Sequence, residues 1–99
     1  MPIEPDSCET MRDVRHGVDA LDRELVRLLA RRFAYMRAAA RIKPDRSLVR
    51  DDIRKVAVIA AASAEADRLG APVERIARLW ENLVESSIAY EFEQFDDLR

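Results

Sequence analysis

Arg32 and Lys43 stand in line with leucines. They occupy a helical stripe opened by Leu21, Leu25 and Leu28 and shared by Met36 and Ala39. At about 100° per residue, eleven residues bring Lys43 back to within roughly 20° of Arg32. Cations on an apolar face are expensive to bury unless an anion meets them. Other positions interrupt apolar faces in the same way. Arg15 lies early in the same segment, Asp51 and Arg54 sit on adjoining turns, and Ser87 and Glu91 extend the Ile76, Trp80, Leu83 face. Arg15 is rotated by about 100° from Arg32 and cannot share its face within one chain. Only Asp51 and Glu91 oppose the cations, so the set predicts a pocket for a small, rigid polyanion. Arginine offers a fork for each carboxylate, and lysine a point charge for a further oxygen.

Each position also has a plainer account. Arginine on a helix stripe commonly snorkels or pairs with a neighbouring acid. Lys43, next to Pro44, suits the negative end of a helix dipole. Ser87 can bond back to its own helix, and Glu91 can be a solvated helix end. His16 reads as exposed and Cys8 as inert. With one cysteine and one histidine, there is no internal disulfide, and most zinc and triad arrangements are excluded.

The net charge of −2 is unevenly laid out: residues 1–10 carry −3, 11–46 carry +5, 47–80 carry +1 and 81–99 carry −5. The near-neutral sum, with alternating acids in the basic stretch and few exposed aromatics, argues against nucleic-acid binding. The start MPIEPDSCET lacks an apolar leader core, and no apolar run reaches membrane-spanning length. A reduced, cytoplasmic protein without membrane contact is the expectation.

These residues need long helices to position them. Residues are 48% apolar, with two glycines and four prolines, which favours few, long helices and predicts an all-α fold. Residues 1–9 read as an extended arm, 10–95 as a single helical domain and 96–99 as an acidic tail. Thr10 with Asp13 predicts a capped start for a first helix from about Met11 to Ile42, stopped by Pro44. A loop, PDRSLVR, leads to a second helix beginning near Asp51, with an apolar stripe of Ile53, Val56, Ala57, Ala60 and Ala64. Gly70 suits a helix C′ position, and Pro72 the first position of a third helix. That helix carries Phe92 and Phe95 near a frayed acidic end. The first helix, at ~32 residues and 1.5 Å each, is about 48 Å long, whereas a compact globule of this size spans only some ~33 Å. A second copy is expected to cover the remaining apolar surface in a two-fold dimer.

With these pieces in order, the chain resembles the all-helical chorismate mutase family. The matching segments are VRHGVDALDRELVRLLARR, IK at 42–43, RDDIRKV at 50–56 and LWENLVESSIAYE at 79–91. The resemblance implies an intertwined homodimer of three-helix protomers, one helix long and two shorter, with active sites built from both chains. It implies that Arg32 and the second chain's Arg15 hold the substrate's carboxylates. Lys43 then reaches a carboxylate and the ether oxygen whose C–O bond breaks. Asp51, Arg54 and Ser87 match further polar positions of the pocket, and Lys55 stands where a glutamate that binds the substrate hydroxyl is common. Glu91 matches a position that is usually glutamine but is glutamate in some members.

The implied reaction is the Claisen rearrangement of chorismate to prephenate, in aromatic amino acid biosynthesis, which needs no metal and no cofactor. An ionised Glu91 would repel the oxyanion that develops, whereas a protonated one would donate a hydrogen bond. Activity is therefore expected to fall as pH rises towards or beyond neutral. The resemblance extends to isochorismate–pyruvate lyases of salicylate and siderophore pathways, to which the Cys8 arm and VRHGVDALD are similar. Asp51 before Arg54 and the single Pro44 are more mutase-like. A non-catalytic helical dimer acting as an interaction module is the reading from another class.

Overall fold

The computed structural model describes residues 2–99 and contains three α-helices: α1 (Met11–Ile42), α2 (Asp52–Arg68) and α3 (Val73–Asp97). Short 3₁₀ turns precede α1 at Pro5–Ser7 and α2 at Arg46–Leu48. Among the described residues there is no strand, and no helix is long and apolar enough to cross a membrane. Two compact units divide the chain, one up to Ala34 and one from Tyr35 to Arg99.

The ends of α1 follow from local chemistry. The Thr10 hydroxyl oxygen accepts from the Asp13 amide at 3.1 Å, and the Asp13 carboxylate accepts from the amides of Thr10 and Glu9 at 3.3 and 3.1 Å. This reciprocal cap satisfies donors that a helix start leaves orphaned. The bond from the Glu9 amide is the main reason that the Asp13 carboxyl lies below its ordinary range. At the other end the Lys43 amide donates to Ala39 at 2.9 Å, and Pro44 then denies the chain further helical geometry.

In the first unit, the arm is not extended. Pro5–Ser7 makes a 3₁₀ turn, and the Cys8 thiol points back at the carbonyls of Ile3 and Glu4. The apolar stripe of α1 is exposed: Leu21, Leu25 and Leu28 keep 62%, 54% and 49% of their surface. Val14 and Val18 continue it, also exposed. The positions 14, 18, 21, 25 and 28 alternate steps of four and three, the spacing of a helix-pairing seam.

The second unit is built on Ala40, Val49, Val84, Ile88 and Phe95, with Val58, Ile59, Trp80 and Phe92 packed around them. Asp51 caps α2, its side chain accepting from the Arg54 amide at 2.9 Å. After α2, Gly70 adopts φ of 71°, while Ala71 donates to Ala66 at 2.8 Å and Gly70 to Asp67 at 3.1 Å. That is a Schellman ending, which needs the left-handed backbone glycine supplies. Pro72 serves as the N-cap of α3 and Val73 as its first residue, one place later than expected.

Two expectations are corrected here. The stripe Ile53, Val56, Ala57, Ala60, Ala64 faces outward, with Ile53 87% exposed, and α2 turns the half-buried Val58, Ile59 and Ala62 and the buried Ala66 inward instead. Both faces carry one isoleucine and one valine, so apolar volume does not choose between them, and salt bridges from Lys55 to Glu81 and Glu85 of α3 fix the rotation. The end of α3 is not frayed. Phe95 is buried, and the Arg46 guanidinium grips Asp96 at 2.9 and 3.3 Å while lying over the Phe92 ring.

Candidate functional site

The buried charge of the second unit centres on Lys43 and Glu91. Lys43 follows the last residue of α1, and its Nζ donates to Glu91 Oε2 at 2.7 Å and to the Val49 carbonyl at 3.4 Å. The Glu91 side chain is 5% exposed and that of Lys43 28%. Glu91 is therefore not a solvated helix end. An ammonium has three donors, so Lys43 keeps one for an acceptor arriving from solvent. The pair brings opposite charges from segments 48 residues apart into contact, at a point where either charge alone would be costly.

The other candidates are distributed as follows. Ser87 lies one turn before Glu91, buried, and its hydroxyl donates to the Leu83 carbonyl at 2.7 Å. The plainer account of its donor is the observed one. Asp51 is engaged as the cap of α2, and Arg54 on the first turn of that helix is exposed. Arg15, exposed, and Arg32, half-buried, belong to the first unit. The structure thus groups Lys43, Glu91 and Ser87.

Lys55 faces another cluster. Its Nζ donates to Glu81 at 2.7 Å and to Glu85 at 2.8 Å, and Arg50 reaches Glu85 at 2.7 Å and Asp52 at 3.0 Å. This network clamps the start of α2 to α3. Hydrogen bonds from Arg50 and then Lys55 hold the Glu85 carboxyl down at about 2, against an ordinary 4.5. A depressed carboxyl stabilises the fold above its unfolded value and ceases to do so as pH falls through its folded value. The clamp's contribution is therefore expected in full above pH 4.5 and lost on the way down to about 2. Thermal melts of Glu85→Gln against the wild type should show a gap at neutral pH that closes in acid. A gap unchanged at pH 2.5 would contradict the assignment.

A cleft of about 570 Å³ opens elsewhere, in the first unit, among Ile3, Pro5, Cys8, Val14, Val18 and Leu21. Glu4 is the charged residue of its lining. Among the described residues its wall is mostly apolar and carries no cation, which does not suit a polyanion. Sequence reasoning missed Val49, whose carbonyl meets Lys43, and Arg99, which bonds the carbonyls of Ala40 and Lys43 at 3.1 and 2.9 Å. The spacing of Phe95 and Arg99, four apart, was the available signal for the latter.

The pattern of the chorismate mutase type II family matches residues 14–92. The chain belongs to the type II chorismate mutase family. An isochorismate pyruvate lyase of Pseudomonas aeruginosa is 33% identical to it over 70 residues, 69% of either chain. The chorismate mutase stretch takes in every candidate from Arg15 to Glu91 and stops short of Phe95, Asp96 and Arg99. Membership makes this an enzyme of the chorismate mutase group.

Proposed function

We propose that this chain is a chorismate mutase that rearranges chorismate to prephenate without covalent catalysis, as a homodimer with shared sites. The observation that carries the reading is the Lys43–Glu91 pair, buried on the carboxylate side and open on the ammonium side, inside the family stretch. The exposed seam of Val14, Val18, Leu21, Leu25 and Leu28 supports the dimer, since a second copy would bury it.

In this reading Arg32 and the second copy's Arg15 hold the two carboxylates, fixing the enolpyruvyl arm over the ring. Lys43 uses its remaining donor on the ether oxygen, where negative charge grows as the C–O bond breaks. A fixed cation acts more strongly on that charge than on the ground-state ether, which lowers the barrier. Asp51, Arg54 and Ser87 border the pocket. Lys55 takes part in binding only so far as Glu81 and Glu85 release it.

In this reading the Glu91 carboxylate holds the Lys43 ammonium in place, at 2.7 Å.

The lyase relative supports a second reading, elimination of pyruvate from isochorismate over the same cations. Incubation with each substrate separately distinguishes the two. Prephenate from chorismate supports the mutase, and pyruvate with salicylate from isochorismate supports the lyase. Neither product, with no rise in melting temperature on adding either dicarboxylate, would favour a non-catalytic dimer.

A further inference from the structure

We propose that Arg99 is a positioning residue for Lys43, fixing the backbone from which that ammonium reaches its partners. The inference rests on the reading of Lys43 as the cation that meets substrate. Its material is local. The last turn of a helix leaves carbonyls without intrahelical partners, and Pro44 prevents α1 from supplying them by continuing. Arg99 supplies them from just past the C-terminal end of α3. Its guanidinium donates to the Ala40 carbonyl at 3.1 Å and to the Lys43 carbonyl at 2.9 Å, two acceptors three residues apart. A longer bond of 3.4 Å runs to Phe95 in its own segment.

The guanidinium is itself placed. It lies over the Phe95 ring at 3.6 Å, and Phe95 is packed in the core with the fully buried Ala40. A planar fork on an aromatic face is well suited to gripping two carbonyls at once, whereas a lysine could reach one. Positive charge at this end of α1 also suits the helix dipole. Lys43 is thus held at its amide by Ala39, at its carbonyl by Arg99 and at its ammonium by Glu91 and Val49. Remove the fork, and the final turn is capped by water alone. The ammonium then samples positions away from the breaking bond. Arg99 lies outside the stretch that matches the family, residues 14–92.

The test combines turnover with hydrogen exchange. In Arg99→Ala, kcat on the accepted dicarboxylate should fall about ten- to a hundredfold, the cost of a small misplacement of a reacting group. KM should stay within about threefold, because the arginines still hold the carboxylates. Exchange of the Lys43 amide should quicken by about tenfold or more while the amides of α2 are unmoved. Arg99→Lys should restore part of both. An unchanged Lys43 exchange rate in Arg99→Ala overturns the proposal, as does an unchanged kcat in an active enzyme. Should the wild type turn over neither substrate, the functional reading falls, and the exchange rate alone decides whether Arg99 holds Lys43.

Discussion

Lys43→Met is expected to lower turnover by ~10²–10³, the usual effect of removing one preorganised donor from a developing oxyanion. Methionine keeps most of the stem's volume and removes only the charge and its donors. The same change strands the Glu91 carboxylate, which is 5% exposed and would lose its cation. Breaking a buried pair from one side costs more than the pair is worth. Because over a quarter of Lys43 remains exposed, water can partly replace it, and a loss of about 2 kcal/mol is expected. The two effects can be separated. Lys43→Met with Glu91→Met leaves no orphaned charge, so stability should recover in large part while turnover stays low. A double variant that regained activity together with its melting temperature would show the pair to be scaffolding.

The second large effect concerns the seam on α1. Leu25 is over half exposed in the single chain and stands in the middle of the run from Val14 to Leu28. In the proposed dimer Leu25→Glu would exchange a buried leucine, worth about 1.5–3 kcal/mol, for a carboxylate without a partner. Two-fold symmetry applies that change twice at one interface. The variant is expected to sediment as a monomer at micromolar concentration and to lose turnover, since each site would lack the second copy's Arg15. Full activity in a monomeric Leu25→Glu would refute shared sites.

What was legible in the chain was what local chemistry decides. Thr10 with Asp13, Asp51 and Gly70 mark helix ends because their side chains or backbone freedom act within four residues. The long proline-free run made α1 evident, and the cations in its stripe pointed to a buried charge at its end. The α2 face was misread because each of its two faces carries one isoleucine and one valine, and the salt bridges of Lys55 to α3 decide between them. The fate of Lys55 depends on Glu81 and Glu85, 26 and 30 residues away, which no spacing rule connects. The acidic end looked loose because its anchors, Arg46 on Asp96 and Arg99 on α1, span 50 and 59 positions. The Lys43–Glu91 contact lies between these cases. Both residues were singled out, but they were expected to flank a ligand and are found bonded to each other.

The sharing of one site between two copies is tested most directly by mixing two inactive variants. Arg15→Ala lacks the residue lent to the other chain's site, and Lys43→Met lacks the residue kept for its own. A mixed dimer would hold one intact site and one doubly broken site. Equal amounts, unfolded together and refolded, form half mixed dimers, so about a quarter of wild-type turnover should return. A mixture no more active than the two variants measured apart would contradict the shared cationic site.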